Sequence, residues 1–199
     1  MKTQIILATR NKHKLQEFRD MLRDSEVDIL PCDAFPGCPD VEEDGATFAE
    51  NALKKARAIA RHTGRITIAD DSGLEVDALG GLPGLYSARF AGEPADDRRN
   101  NEKLLLELAR VPDEKRGAQF KCVIAIVDAR GKEKVVEGVC RGVIIRELKG
   151  VQGFGYDPLF VDTASGLAFA EMDAGDKNCI SHRCRAIQAL KKILPEFTA

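Results

Sequence analysis

Gln4-Ile5-Ile6-Leu7-Ala8, followed at once by Thr9-Arg10-Asn11-Lys12-His13-Lys14, is the stretch on which the fold turns. The short apolar run suits a buried strand. Asn11 then stands where an N-cap belongs, ahead of Leu15, Phe18 and Leu22 on one helical face. The order is strand, tight turn, helix. Working outward, Thr47 and Glu50 form a capping box for a helix carrying Leu53, Ala56 and Ala60, which leaves Glu42-Glu43-Asp44-Gly45 in the loop before it. A second strand is predicted over Ile66–Ala69, broken at Asp70-Asp71-Ser72-Gly73, where two acids, a hydroxyl and glycine favour a turn. A helix is expected over 96–110 through Leu104, Leu105 and Leu108, and a β-hairpin from Phe120–Val127 and Val135–Ile144 around Asp128-Ala129-Arg130-Gly131. After a glycine-rich loop at 150–158, Ile180, Cys184, Ile187 and Leu190 predict a last helix from Ile180 to Leu194, stopped by Pro195. An antiparallel hairpin beside a strand-turn-helix unit makes the sheet mixed, so the expected fold class is α/β.

No repeat, low-complexity run or linker divides the chain, and residues 1–199 read as one domain. With 44% hydrophobic and 31% charged residues the composition is that of a soluble globular protein rather than a disordered or membrane chain. A net charge of −2, from 30 basic and 32 acidic residues, supplies no global field toward nucleic acid or acidic lipid, so any polyanion must be bound locally. The N-terminal MKTQIILATRNKHK matches neither a signal peptide nor a spanning helix, which leads to an expectation of cytoplasmic location. None of the six cysteines makes a C-x-x-C spacing, and they read as small, mostly buried apolar residues in a reducing compartment.

Five regions could carry chemistry. Thr9 to Lys14 lies between strand and helix, where backbone N–H groups and the helix dipole favour an anion and Arg10 or Lys14 adds charge. The same residues also fit an ordinary capped helix with solvated cations. Neither a G-x-x-x-x-G-K-[ST] loop nor a full dinucleotide fingerprint is present. Glu42-Glu43-Asp44 and Asp70-Asp71 offer the hard oxygen ligands magnesium requires, although the first also suits a helix N-terminus and the second a turn. An aspartate pair repels itself unless a metal or proton intervenes, which tilts Asp70-Asp71 toward function. In Gly150-Val151-Gln152-Gly153-Phe154-Gly155-Tyr156-Asp157-Pro158, two aromatics can offer a flat face to a base or simply pack inward. Lys177 and Ser181-His182-Arg183 gather cations near the start of the last helix, where they mismatch the dipole unless an anionic or carbonyl-bearing ligand compensates.

Taken in order, six segments resemble the inosine triphosphate pyrophosphatase family, whose members act on noncanonical purine nucleoside triphosphates. They are Ala8 to Lys14, Glu42 to Phe48, Ala69-Asp70-Asp71-Ser72-Gly73-Leu74, Gly84-Leu85-Tyr86-Ser87-Ala88-Arg89, Phe154 to Pro158 and Ser181-His182-Arg183. Arg10 departs from the glycine many members carry there. The resemblance implies a homodimer of two-lobed subunits, each with an elongated mixed sheet flanked by helices and a central cleft, that hydrolyses ITP, dITP, XTP and dXTP to monophosphate and pyrophosphate with magnesium. By motif position it implies that Thr9, Arg10, Asn11, Lys12, His13 and Lys14 bind phosphates. It implies Glu42 and Asp71 around the metal, Asp71 also as the proton acceptor, and Ser72 against the substrate. Phe154, Gly155, Tyr156, Asp157, Lys177, His182 and Arg183 would form the base and sugar-phosphate pocket. Water must attack the α-phosphorus while charge builds on the leaving pyrophosphate, chemistry driven mainly by positioning and electrostatics. The rivals are a pyrophosphatase for modified pyrimidine nucleotides and a non-hydrolysing nucleotide sensor or RNA-binding module. The acidic clusters oppose the second, because carboxylates repel phosphate without metal.

Overall fold

A computed structural model describes residues 2–198. Six strands, β1 (Thr3–Leu7), β2 (Val27–Pro31), β3 (Thr67–Val76), β4 (Gly117–Val127), β5 (Glu133–Ile144) and β6 (Phe160–Asp162), form one sheet in the order β2-β1-β3-β4-β5-β6. β1 runs parallel to β2, with Thr3 opposite Val27, and to β3, with Ile6 opposite Thr67, while β5 and β6 are antiparallel. The sheet is therefore mixed, as expected. The helices are α1 (Lys12–Leu22), α2 (Phe48–Thr63), α3 (Asp97–Glu107), α4 (Ala174–Ile180), α5 (His182–Ile193) and α6 (Pro195–Thr198).

The chain forms two compact units. The first comprises the residues up to Asp71, Cys122–Gly138 and those from Arg183 onward; the second comprises Ser72–Lys121 and Val139–His182. Each has its own core. In the first, Ile5 and Leu7 of β1 pack with Phe18 and Leu22 of α1 and with Ile187 and Leu190 of α5. Ile5, Ile6 and Leu7 are all fully buried, so β1 is covered on both faces, the usual condition of a parallel strand. In the second, Leu74, Leu104, Leu108, Phe120, Tyr156, Phe160 and Phe169 form the centre.

Local signals explain most boundaries. Thr47 caps α2 by accepting the Glu50 N–H at 3.1 Å, but Glu50 Oε2 accepts from Ala46 rather than closing the box on Thr47 itself. Gly64, at φ 63°, ends the helix in the left-handed conformation that glycine adopts most readily. Asp128 organises the hairpin turn by accepting the N–H groups of Arg130 and Lys132, both at 2.9 Å.

Two expectations are corrected. β3 does not break at Asp70 but continues through Asp71, Ser72 and Gly73 to Val76, because buried partners satisfy the acids and outweigh their turn preference. The last helix is also two helices. Ser181 is extended, at ψ 160°, and separates α4, capped by Asp173, from α5. Pro195 follows α5 and opens the one-turn α6, a first-turn position that suits proline.

Candidate active site

In the first unit, the turn between β1 and α1 is a well-capped helix start. Asn11 Oδ1 accepts the N–H groups of His13 and Lys14 at 2.9 and 3.1 Å, and Thr9 Oγ1 accepts that of Asn11 at 3.2 Å. The Cys32 thiol donates to the Thr9 carbonyl at 3.4 Å. Arg10, Asn11, Lys12 and His13 are exposed. Arg10 lies 3.3 Å from Asp40, an exposed pair of little energetic value. Lys14 is different: its Nζ stands 3.0 Å from the buried Asp70.

Successive side chains of a strand point to opposite faces, and Asp70 and Asp71 accordingly meet different partners. Asp70 accepts from Arg183 at 3.1 Å as well as from Lys14, and Arg183 also donates to Glu17 at 2.5 Å. Burial opposes ionisation of Asp70, but Lys14, Arg183 and Lys55 outweigh it and hold the carboxyl far below its usual range. Asp71 accepts from Asn51 Nδ2 at 3.0 Å and lies 3.5 Å from Lys55 Nζ, which is also 3.0 Å from Glu43. Burial pushes the Asp71 carboxyl up to about 6; Lys55 opposes the shift and the neighbouring Glu43 adds to it. Glu43 is likewise opposed by burial, yet Lys55 draws it downward. The pair holds one charge readily and the second reluctantly. The mutual repulsion anticipated within Asp70-Asp71 is thus relieved by separate cations, and the repulsion that remains lies between Asp71 and Glu43.

Along residues 41–45 exposure alternates, so Glu42 is exposed while Glu43 is half-buried and pairs with Lys55. Asn51 fixes the acidic loop by accepting the Gly45 N–H at 2.8 Å while donating to Asp71. A Cβ at Gly45 would stand 2.7 Å from Asn51 Oδ1, which explains the glycine. Asn51 and Lys55 were absent from the expected site. Their signal was a buried face on α2 in which polar residues four apart sit beside Ala52, Ala56 and Ile59. Among the described residues no three His, Cys, Asp or Glu side chains cluster as a metal cage.

In the second unit, Lys177 is the centre. Its Nζ donates to Asp157 Oδ2 at 2.6 Å and stands 4.8 Å from the centre of the half-buried Phe154 ring. The same carboxylate oxygen accepts the Phe154 N–H at 2.9 Å, and a Cβ at Gly153 would lie 2.1 Å from it. Asp157, Lys177 and Phe154 therefore form a rigid group. Gly155 is bound on both sides: Asp97 Oδ2 accepts its N–H at 2.7 Å and Asn101 Nδ2 donates to its carbonyl at 2.8 Å. Tyr156 turns into the core and donates to the Ser87 carbonyl at 2.9 Å, and burial raises its hydroxyl above the ordinary phenol range. Ser87 itself accepts the Leu74 N–H at 2.9 Å and donates to Gly84, so the 84–89 motif anchors this loop. His182 is stacked on Phe120 with ring centres 4.7 Å apart. Ser72 is half-buried on β3.

The structure thus brings Lys14 and Arg183 together on Asp70, sets Asp71 beside Asn51 and Lys55, and gathers Phe154, Gly155, Asp157 and Lys177 into another group. Arg183 is buried with two carboxylate partners, and burial, though opposing its charge, is outweighed by Asp70 and Glu17, which raise its affinity for the proton. Its first task is to neutralise Asp70 and Glu17, which the basic run Ser181-His182-Arg183 does not reveal.

Residues 5–193 match the Ham1 family. A dITP/XTP pyrophosphatase of Desulforamulus reducens is 54% identical over 190 residues, covering 96% of this chain and 94% of the relative. One from Geobacter sulfurreducens is 50% identical over 189 residues, covering 95% of each. Among solved structures, a HAM1 protein from Coxiella burnetii superposes with a TM-score of 0.89 at 42% identity, covering 98% of this chain and 99% of the other. The Staphylococcus aureus Ham1 protein does so at 0.87 and 40% identity, covering 97% and 98%.

Proposed function

This chain belongs to the Ham1 family, and from that premise we propose that it hydrolyses noncanonical purine nucleoside triphosphates, ITP, dITP, XTP and dXTP, to the monophosphate and pyrophosphate. The observation that carries the mechanism is Asp71, a buried carboxylate held in place by Asn51 and Lys55 beside Glu43. A carboxylate fixed in this way suits orienting and deprotonating water. Asp71 orients and deprotonates the water that attacks the α-phosphorus. Lys55, whose own proton is held more tightly because Asp71 and Glu43 outweigh its burial, keeps a fixed positive charge beside that carboxylate.

The Thr9 to His13 turn, exposed from Arg10 to His13, and Lys14 bind the phosphates. Glu43 and Asp71 are paired hard oxygen donors that fit magnesium, an ion commonly held by one or two carboxylates together with substrate phosphates. When bound, magnesium supplies Lewis-acid stabilisation of charge on the phosphate oxygens. Ser72 follows Asp71 on β3 and contacts the substrate. Phe154 offers its ring to the purine, and Lys177 and His182 present donors to a 6-carbonyl, which inosine and xanthosine carry and adenosine lacks. Residues 1–199 act as one pyrophosphatase domain, in the cytoplasm and as a homodimer. The test is a panel of purine and pyrimidine triphosphates with magnesium, in which monophosphate and pyrophosphate are both quantified. Turnover favouring ITP and XTP over ATP and over modified pyrimidine nucleotides supports the assignment, and binding without turnover contradicts it.

A further inference from the structure

Asn100 and Asn101 are both buried in the first half of α3, where asparagine is a poor helix former and consecutive asparagines call for a reason. Each has one. Asn100 accepts the Ala91 N–H at 2.7 Å and donates to the Ala88 carbonyl at 3.0 Å, fastening the segment after the Gly84–Arg89 turn. Asn101 uses its amide N–H groups on the Asp97 and Gly155 carbonyls, both at 2.8 Å. Because both partners are acceptors, the amide orientation is determined. Asp97, one turn earlier on the same helix face, takes the Gly155 N–H at 2.7 Å. Both backbone polar groups of Gly155 are thus held by two side chains of α3.

That grip matters because of where Gly155 sits. The residue before it, Phe154, has its N–H on Asp157 and its ring beside Lys177. Gly155 has φ 62°, so the chain turns sharply there, and the direction in which Phe154 projects depends on how the Gly155 peptide is held. We infer that Asp97 and Asn101 are positioning residues which, by clamping the Gly155 peptide, set the Phe154 ring and the Lys177 group at the spacing a purine base requires. The inference rests on the reading of this loop as the base site.

The experiment compares steady-state kinetics of ITP hydrolysis by wild type, Asp97→Ala, Asp97→Asn, Asn101→Leu and Asp96→Ala, with thermal melts of each. Asp97→Ala should raise KM about fivefold or more with kcat within about twofold, the scale expected for losing one charge-assisted hydrogen bond. Asp97→Asn keeps an acceptor for Gly155 and should restore most of the loss. Asn101→Leu fills the same space without the amide and should raise KM similarly. Asp96 caps α3 through Arg99 and touches neither Gly155 nor Phe154, so Asp96→Ala should lower the melting temperature and leave KM alone. A wild-type KM in folded Asp97→Ala or Asn101→Leu protein overturns the inference while leaving the activity intact. So does a KM increase in Asp96→Ala equal to theirs, since helix stability alone would then explain it. If wild-type protein does not convert ITP at all, the functional reading fails and the inference falls with it.

Discussion

Asp70 and Asp71 are consecutive on β3, yet Asp70 is held ionised by Lys14 and Arg183 whereas burial, helped by the neighbouring Glu43, pushes Asp71 up to about 6. Two identical side chains therefore do different work. Asp71→Asn should lower kcat by about a hundredfold or more, the low end for loss of a positioned base, with little change in melting temperature. Turnover close to wild type in excess magnesium would remove Asp71 from the mechanism.

Asp70→Asn should instead destabilise the protein. Lys14 and Arg183 would lose a buried carboxylate, and breaking such a pair costs about 3–5 kcal/mol. Urea denaturation with unchanged m-values is the measurement; a midpoint equal to wild type would show that Glu17 alone can balance Arg183. Arg183→Ala should also destabilise, because it removes the cation that bridges Glu17 and Asp70 and leaves Lys14 to neutralise Asp70.

A third expectation separates affinity from choice in the base site. Phe154→Ala should raise KM for all purine triphosphates by a similar factor, about tenfold, since stacking accepts every base. Lys177→Ala should narrow the gap in kcat/KM between ITP and ATP by about tenfold, through loss of a donor that a keto base pairs and adenine does not. Equal losses on both nucleotides would place Lys177 with the phosphates, or with Asp157 alone.

Arg116 offers a test of the second unit's framework. It is buried and donates to the carbonyls of Leu108, Ile144 and Ile145 at 2.7, 2.7 and 3.1 Å, with no carboxylate among those bonds. Arg116→Met keeps the bulk but abandons three carbonyls, and should cost at least about 3 kcal/mol. Differential scanning calorimetry showing no loss would mean that water replaces the guanidinium without penalty.

What could be read from the sequence was whatever is local. The β1 run, the Asn11 and Thr47 caps and the Asp128 turn are each written within a few residues, and all four form. β3 was cut short because Asp70-Asp71-Ser72-Gly73 has the composition of a turn, and the cations that keep it extended lie far away: Arg183 is 113 residues along the chain. The same distance hides the Arg183 network. The alternation that leaves Glu42 exposed and Glu43 half-buried is not announced by an irregular segment, and no motif signals Asn101, which bonds backbone groups.

The central claim is that water attacks the α-phosphorus, and one measurement addresses it directly. Hydrolysis of ITP with magnesium in water enriched in oxygen-18, followed by mass spectrometry of the products, should place one heavy oxygen in inosine monophosphate and none in pyrophosphate. Label found in pyrophosphate would mean attack at the β-phosphorus. Release of inosine diphosphate with labelled orthophosphate would mean attack at the γ-phosphorus, and either result contradicts the account.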